Sequence, residues 1–412
     1  MHISRSLLVS LTAAIVLAGC RRAAPVKPEP GAAAPVLPPR AEAIIRDSVK
    51  QVLDRALRDS AFPGAIAVVG TRSRIVAEYA VGHLDWAPTP PPDDRTLWDL
   101  ASLSKVVGLT SGIMQLVDQG RVALDAPVQH YFPNWTGPHK ELVTVRHLLT
   151  HSSGLPAFKA YDEITHDPDS LAKLMFATPL DTVPGAKMVY SDIGAYMLGR
   201  LVEEITGQSL DVYLHDHVFE PLGMHETTYR PPISLWARIA PTELDTVQRR
   251  RLVRGMVHDE RAYYLGGVSA HAGLFSGGHD LARFARMYLN GGTLDGVRVI
   301  QPATIAQFTA YADSTFSNRG IGWQKPELPG MRFTTAAPWA GHTMSSRSYG
   351  HTGFTGTSIG MDPTRDLFVI LLSNRVDPTR NNNKISEVRR QLADAIVRDF
   401  DRLQTTAHTM NP

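Results

Sequence analysis

Cysteine is almost absent from this sequence: the chain has 412 residues and one cysteine, Cys20, so no internal disulfide can stabilise it. Charge of either sign is not in excess, because 42 Lys and Arg residues against 40 Asp and Glu residues leave a net charge of +2. This balance argues against a dedicated nucleic-acid-binding protein. Recognisable metal-ligand spacing is missing too, although there are 16 histidines.

We therefore expect neither a metal nor an organic cofactor. The histidines that could suggest a metal site are interpreted instead as packing residues or as hydrogen-bonding residues of loops; they are His258, His271 and His279. Hydrophobic residues make up 43% of the chain, which is enough for a sizeable core. The length fits one large domain or two intimately joined ones.

The first 20 residues resemble a bacterial lipoprotein signal. His2 and Arg5 form a short polar, positive region, and the apolar stretch 7–17 is shorter than the roughly 20 residues that cross a bilayer. The stretch ends in Leu-Ala-Gly-Cys, with the cleavage position before Cys20. Residues 1–19 are therefore predicted as a signal peptide and Cys20 as a lipidated residue. The alternative is an ordinary secretory signal peptide.

Lipidation would anchor the mature chain in the cell envelope, on the periplasmic side of a membrane. Arg21, rather than Asp, follows the cysteine, and this favours the outer membrane over the inner one. Residues 20–40 are rich in Pro and Ala and are predicted to form a semi-extended tether.

The rest of the chain predicts an α/β (α+β) fold whose antiparallel sheet is built from both ends of one domain. Residues 64–69 and 75–80 have strand composition, as do 358–361 and 367–372. Apolar residues at helical spacing occupy 41–57 and 385–400. The predicted domain covers 41–402, with its α/β part at about 41–110 and 300–402. A helical lobe is inserted at about 111–299, and 403–412 is a flexible tail.

A Ser-x-x-Lys motif, Ser102 to Lys105, precedes a run with helical apolar spacing. Residues three apart lie on one helix face, so Lys105 could reach the hydroxyl of Ser102. The serine would then lie at a helix N-terminus, which favours developing negative charge. A serine needs an adjacent base to act as a nucleophile, and this arrangement could supply one.

Two further elements follow in order, Tyr190-Ser191-Asp192 and His351-Thr352-Gly353. With Ser-x-x-Lys they resemble the penicillin-recognising serine hydrolases: class C β-lactamases, D,D-peptidases and their family VIII-type esterase relatives. The resemblance covers approximately residues 42–402. Further segments are similar to those of penicillin-binding protein 4B-like lipoproteins; they are 257–260 and 265–276.

The resemblance implies the β-lactamase/transpeptidase-like fold and a catalytic role for each motif. Ser102 would form an acyl-enzyme, and Lys105 and Tyr190 would share the role of base. The oxyanion hole would consist of the backbone N–H groups of Ser102 and Phe354. Asp192 would orient Lys105 or contact the substrate amide.

Two departures from the family pattern bear on the substrate. Asp192 replaces an Asn, and a carboxylate cannot donate a hydrogen bond unless it is protonated. His351 replaces the Lys of Lys-Thr-Gly, and a histidine is mostly neutral at pH 7. Both changes argue against an efficient β-lactamase. Arg380 could restore a positive charge for a substrate carboxylate. The predicted substrate-binding residues are therefore Asp192, His351, Thr352, Gly353 and Arg380.

A competing motif, Gly-x-Ser-x-Gly, places Ser358 at its centre. The nucleophile elbow of α/β-hydrolases is a strand–turn–helix, whereas Ser358 lies inside a predicted strand that is followed by a turn and another strand. We therefore interpret Ser358 as structural.

The sequence thus predicts an extracytoplasmic serine hydrolase that acts on an ester or a cell-wall peptide, with weak β-lactam reactivity. A D,D-carboxypeptidase or D-aminopeptidase and a carboxylesterase remain open. The alternative from another class is a non-catalytic envelope lipoprotein that binds peptidoglycan fragments or a partner protein. The intact Ser102, Lys105 and Tyr190 argue against it.

Overall fold

The computed structural model describes residues 37–38 and 40–410. Cys20, the predicted signal peptide and most of the predicted tether lie outside these residues. The α-helices are, in chain order, α1 Ala41–Arg58, α2 Ser111–Asp118, α3 Val145–Leu149, α4 Pro168–Ala177, α5 Asp192–Thr206, α6 Leu210–Leu214, α7 Glu220–Leu222, α8 Glu260–Tyr264, α9 Gly278–Leu289, α10 Pro302–Thr309 and α11 Ile385–Met410.

The strands are short in the middle of the chain and longer towards its two ends. They are β1 Gly64–Gly70, β2 Ile75–Gly82, β3 Trp98–Asp99, β4 Thr228–Tyr229, β5 Leu244–Asp245, β6 Arg251–Leu252, β7 Leu274–Ser276, β8 Thr293–Leu294, β9 Val297–Arg298, β10 Tyr349–Thr352, β11 Ser358–Asp362 and β12 Leu367–Ser373.

The main sheet has five antiparallel strands in the order β10-β11-β12-β1-β2. Strands from the two ends of the domain meet where β1 pairs with β12, with Ile66 opposite Leu372. The prediction of one sheet built from both ends is therefore confirmed. Most helices lie between β2 and β10 in sequence, as the inserted lobe requires.

Both faces of this sheet are covered, because alternate residues of β1 belong to different cores. Ile66 and Val68 pack into the core shared with the helical lobe. Ala65, Ala67 and Val69 pack against the other core, which α1 and α11 supply. Side chains of successive strand residues point to opposite faces, so one strand can support two apolar layers. The sheet thereby becomes a rigid support for β10, which lies beside the site.

Two local features differ from the sequence predictions. Helix α11 continues to Met410, beyond the predicted domain boundary at residue 402. The segment after Ser102 is not a regular α-helix: a short 3₁₀ turn at Ala101–Leu103 leads into a π-helical stretch at Lys105–Thr110 and then into α2. π-helical turns are rare and occur frequently at functional sites. None of the helices in the described part of the chain is long and apolar enough to span a membrane.

Candidate active site

Ser102 lies in a tight turn between β3 and the π-helical stretch. The residue before it, Ala101, has φ of +46°, a left-handed conformation that costs a non-glycine residue about 1–2 kcal/mol. The buried carboxylate of Asp99 supports the turn, since it accepts hydrogen bonds from the N–H of Ala101 at 2.8 Å and from the N–H of His258 at 2.6 Å. Residues distant in sequence therefore fix the backbone that presents the serine.

Lys105 lies beside the serine and is almost fully buried. Its Nζ donates hydrogen bonds to Ser102 Oγ at 3.0 Å and to the carbonyl of His271 at 2.9 Å. Asp192 Oδ1 lies 2.8 Å from the same nitrogen. Burial opposes the charge, but the negative charge of Asp192 prevails and raises the pKa of Lys105 above its ordinary value. Lys105 is therefore a cation at neutral pH.

Tyr190 and Asp192 both contact Lys105, and Ser191, between them, caps helix α5. The Ser191 hydroxyl accepts a hydrogen bond from the N–H of Gly194 at 3.0 Å and donates one to the carbonyl of Pro156 at 2.6 Å. This capping places Asp192 in the first turn of the helix, where a carboxylate is favoured.

The hydroxyl of Tyr190 is buried and has no hydrogen-bond partner among the described residues. Two cations contact the tyrosine ring: Lys105 Nζ lies 4.9 Å from its centroid, and Arg319 Cζ lies 5.2 Å from it. A buried hydroxyl without a partner is unusual in a folded protein and marks this group as available for a substrate or for proton transfer.

Asp192 belongs to a chain of alternating charges. It also contacts Arg261 at 3.5 Å, and Arg261 contacts Asp259 at 3.1 Å. Asp259 in turn lies 2.9 Å from His271 Nε2. Although burial raises the pKa of a carboxyl group, His271 and Arg261 hold the pKa of Asp259 well below its usual range. The network fixes the orientation of Asp192 and, through it, the charge of Lys105.

The third motif begins in the last two residues of strand β10, and the segment that follows it is hydrogen-bonded to the serine turn. Thr355 Oγ1 donates to the carbonyl of Asp99 at 2.7 Å, and Thr357 Oγ1 donates to the carbonyl of Leu100 at 3.0 Å. A Cβ on Gly353 would lie 2.3 Å from that same Leu100 carbonyl, so the close approach requires glycine. The segment is therefore held at a fixed distance from Ser102.

Phe354 lies at the position that the resemblance assigns to an oxyanion-hole donor. Its carbonyl accepts a hydrogen bond from Arg375 Nε at 2.8 Å, which fixes the peptide plane. Its own N–H donates to no acceptor among the described residues. That N–H is therefore free for a substrate oxygen, as the predicted role requires.

His351 is buried and neutral. Its Nδ1 donates to the carbonyl of Thr352 at 2.8 Å. Burial, together with the nearby positive charges of Arg319 and Lys105, holds the pKa of His351 well below its ordinary value. The position that carries a permanent charge in Lys-Thr-Gly therefore carries none here, and Thr352 beside it is half-buried.

Two cavities meet at the serine. The larger, of about 670 Å³, lies on the side of Asp192, His258 and Arg261. The smaller, of about 370 Å³, lies on the side of His351 and Arg319. Ser102, Tyr190 and Phe354 line both. The two parts of a scissile substrate can therefore occupy different chambers, and we call them the large and the small chamber.

Arg380 lines the large chamber, but its charge is already compensated. Its guanidinium contacts Glu243 and Glu260, each at 2.5 Å. Although burial raises the pKa of a carboxyl group, hydrogen bonds from His258 and Arg380 lower the pKa of Glu243 to about 2. Arg380 therefore has little charge to offer a substrate carboxylate.

The serine of the competing motif takes no part in the site. Ser358 is the first residue of β11, is buried, and lies opposite Thr352 and Leu371 in the sheet. It forms neither a turn tip nor a helix start, as an elbow nucleophile must.

Sequence reasoning did not identify Asp259, Arg261 and Arg319 as site residues. His258 and Asp259 lie in a segment with family resemblance, which was a usable signal. Arg319 lies alone in the irregular region between α10 and β10, and no local pattern distinguishes it.

Comparison with known proteins shows similarity over most of the chain. The Beta-lactamase family model matches residues 46–394. The chain is 32% identical over 365 residues, 79% of this chain and 82% of the relative, to an Escherichia coli O157:H7 protein named "Putative D-alanyl-D-alanine carboxypeptidase". It is 32% identical over 375 residues, 81% of this chain and 83% of the relative, to the N-acetylmuramyl-L-alanine amidase of Bacillus subtilis strain 168.

A solved structure shows the same fold. A penicillin-binding protein homologue from Caulobacter crescentus superimposes with a TM-score of 0.68 at 23% identity, covering 88% of this chain and 98% of that one.

Because the Tyr190 hydroxyl has no hydrogen-bond partner among the described residues, its effect on catalysis can be measured separately from its effect on stability. Tyr190→Phe removes a hydroxyl that has no hydrogen-bond partner within normal distance among the described residues, so the free energy of unfolding should not fall. Loss of a general base should lower the rate of Ser102 acylation by at least about 100-fold. The measurements are urea unfolding and labelling by a fluorophosphonate.

A matched control is Tyr288→Phe. The Tyr288 hydroxyl is also buried but lies 3.3 Å from the Ser111 hydroxyl, so its removal should cost about 1 kcal/mol of stability and leave acylation unchanged. Equal acylation rates in the two variants would contradict a catalytic role for Tyr190.

The charge of Lys105 should depend on Asp192. In Asp192→Asn the main cause that raises the pKa of Lys105 is gone, so Lys105 should lose its proton at lower pH than in the wild type. The alkaline limb of the pH–rate profile should then move to lower pH. The control is Asp216→Asn, which removes an exposed carboxylate paired with His215. An alkaline limb that does not move in Asp192→Asn would show that Lys105 is not held as a cation by this pair.

Proposed function

The chain belongs to the Beta-lactamase family of serine hydrolases, and on this premise we propose that it is a membrane-anchored D,D-carboxypeptidase of the cell envelope. The observation that carries the proposal is the 3.0 Å hydrogen bond between Lys105 and Ser102, beside an unpartnered Tyr190 hydroxyl and between two open chambers. The name of the Escherichia coli relative supports the choice of substrate.

The protonation state of Lys105 determines which residue acts as the base. A protonated lysine cannot accept the serine proton, so we assign the role of base to the Tyr190 oxygen, which has no hydrogen-bond partner among the described residues. Ser102 Oγ bonds to the carbonyl carbon of the peptide while its proton passes to Tyr190. Collapse of the tetrahedral intermediate breaks the C–N bond, and Tyr190 returns the proton to the departing amine. Water then releases the acyl group by the reverse sequence.

Negative charge on the tetrahedral oxygen is stabilised by the N–H groups of Ser102 and Phe354. Such a donor contributes about 3 kcal/mol to the transition state. The hydrogen bonds from Thr355 and Thr357 to the serine turn fix the two donors relative to each other. Slow acylation by penicillins is expected from the same machinery.

Carboxylesterase activity is the second candidate, favoured by the mouth of the large chamber. Phe158 and Phe354 line it and are 60% and 47% exposed. Exposed aromatic side chains at a cavity entrance suit an apolar acyl group.

The test is a parallel turnover panel. It compares a peptide ending in D-Ala-D-Ala, a D-aminoacyl amide, an N-acetylmuramyl-L-alanine amide, a short-chain p-nitrophenyl ester and a chromogenic cephalosporin. We expect the highest kcat/KM for the D-Ala-D-Ala peptide, with release of one D-alanine. Activity and labelling by a fluorescent penicillin should both disappear in Ser102→Ala. A higher kcat/KM for the ester would favour the esterase, and preference for the cephalosporin would contradict the inference from Asp192 and His351.

The membrane anchor is a separate part of the proposal. Cys20→Ser removes the thiol that accepts the lipid, so the protein should move from the membrane fraction to the soluble fraction of the expressing cells. Arg21→Asp serves as a sorting variant and should shift the protein from the outer to the inner membrane. Retention of Cys20→Ser in the membrane fraction would favour a different mode of attachment.

A further inference from the structure

His258 is a buried histidine of the large chamber that the acylation step does not use. It is 4% exposed and lines the chamber together with Ser102 and Tyr190. Its Nε2 lies 2.9 Å from Glu243 Oε2. Because Glu243 is ionised and can only accept a hydrogen bond, Nε2 carries the proton of the neutral ring and Nδ1 keeps its lone pair. That Nδ1 has no hydrogen-bond partner among the described residues.

The backbone of His258 is attached to the serine turn. Its N–H donates to Asp99 Oδ2 at 2.6 Å, and the same carboxylate accepts the N–H of Ala101, the residue before Ser102, at 2.8 Å. The carbonyl of His258 accepts a hydrogen bond from Arg249 Nη2 at 2.8 Å. One buried side chain therefore bridges the two backbones, and His258 cannot move relative to the nucleophile without breaking these hydrogen bonds.

The ring of His258 lies against the residue that supplies the second oxyanion-hole donor. Its centroid is 5.6 Å from that of the Phe354 ring, with 29° between the two planes. Glu243 holds the Nε2 edge of the same ring. The carbonyl oxygen of an acyl group on Ser102 would bind to the Phe354 N–H, so the imidazole is fixed beside that carbonyl on the side of the large chamber.

The neighbouring histidines differ from His258. Both ring nitrogens of His271 are engaged, with Ser269 Oγ at 2.7 Å and Asp259 Oδ1 at 2.9 Å. His351 lines the small chamber and not the large one. Within the described part of the chain, His258 is therefore the histidine of the large chamber that keeps an acceptor nitrogen free.

We propose that His258 holds the hydrolytic water during deacylation, and that Glu243 fixes the ring tautomer that this requires. The inference rests on the proposed function and deepens its second half-reaction. The water donates one O–H to His258 Nδ1 and the other to the Tyr190 oxygen. The water oxygen bonds to the acyl carbon while the second proton passes to Tyr190. Collapse then breaks the C–Oγ bond, Tyr190 returns that proton to Ser102, and the product leaves as a carboxylic acid that retains the first O–H.

The test measures acylation and deacylation separately, with p-nitrophenyl acetate under enzyme excess. Release of nitrophenol gives the acylation rate, and intact-protein mass spectrometry of quenched samples gives the rate at which the acetyl group leaves Ser102. His258→Gln can keep the contact with Glu243, because its amide N–H reaches the Nε2 position, but it has no acceptor at the Nδ1 position. Its deacylation rate should fall about 10- to 100-fold, the cost of a misplaced nucleophile, while acylation stays within about twofold.

His258→Asn is the matched control at the same position. Its carbonyl oxygen can occupy the Nδ1 position while the contact with Glu243 is lost, so it should recover part of the deacylation rate and lower the melting temperature. His279→Gln changes an exposed histidine that is paired with Glu78 at 2.6 Å, and it should change neither rate. Wild-type deacylation in His258→Gln, or an equal fall in both half-reactions, would overturn the inference.

A peptide substrate distinguishes failure of the inference from failure of the proposed function. The same two rates are measured with diacetyl-lysyl-D-alanyl-D-alanine, for which release of D-alanine reports acylation. If only the ester acylates Ser102 and His258→Gln selectively loses deacylation, the water-binding role is supported and the carboxypeptidase proposal fails. If the peptide is cleaved and His258→Gln deacylates like the wild type, the proposed function is supported and the inference fails. Absence of an acyl-enzyme with both donors overturns both.

Discussion

The buried ammonium of Lys105 determines how the rest of the site is arranged. A cation removed from water is stable only if an anion and further hydrogen-bond acceptors replace the lost solvent. Asp192 supplies the anion at 2.8 Å, and the His271 carbonyl and Ser102 hydroxyl supply the acceptors. Because Asp192 is then also partly buried, it requires a second cation, which explains the contact with Arg261 and the continuation to Asp259. The network is a consequence of one buried charge.

The same constraint requires a rigid support, since a small displacement of any partner would leave a buried charge unpaired. The five-stranded sheet provides this support because both of its faces are packed. The hydrogen bonds of Thr355 and Thr357 transmit its position to the serine turn, and Asp99 holds that turn against the strain at Ala101. Stability of the fold and geometry of the site are therefore supplied by the same contacts.

The sequence predicted the parts of this arrangement that local patterns encode. Strand composition located β1, β2, β11 and β12, and the order of three motifs led to the family and to Ser102, Lys105 and Tyr190. It could not show that the segment after Ser102 is π-helical, because i→i+5 bonding has no strong composition signal. It also missed Arg319, whose importance depends on which charges lie near it in space. Arg380 is the arginine that the sequence analysis suggests for a substrate carboxylate, yet its pairing with Glu243 and Glu260 arises only in the folded chain.

Two replacements in the motifs both make the formal charge of the site more negative, and they are best considered together. Asp in place of Asn at 192 adds a negative charge, and that charge forms an ion pair with Lys105. His in place of Lys at 351 removes a positive charge from the strand beside the serine. A substrate carboxylate would then meet no free cation from the family motifs, because Lys105 is already neutralised. Arg319, which lies outside the motifs, is a buried cation among the residues that line the small chamber, and its Nε and Nη1 have no hydrogen-bond partner among the described residues. Arg319 also contacts the Tyr190 ring, so the tyrosine lies between this cation and Lys105, and a substitution at either cation changes the electrostatic environment of the tyrosine.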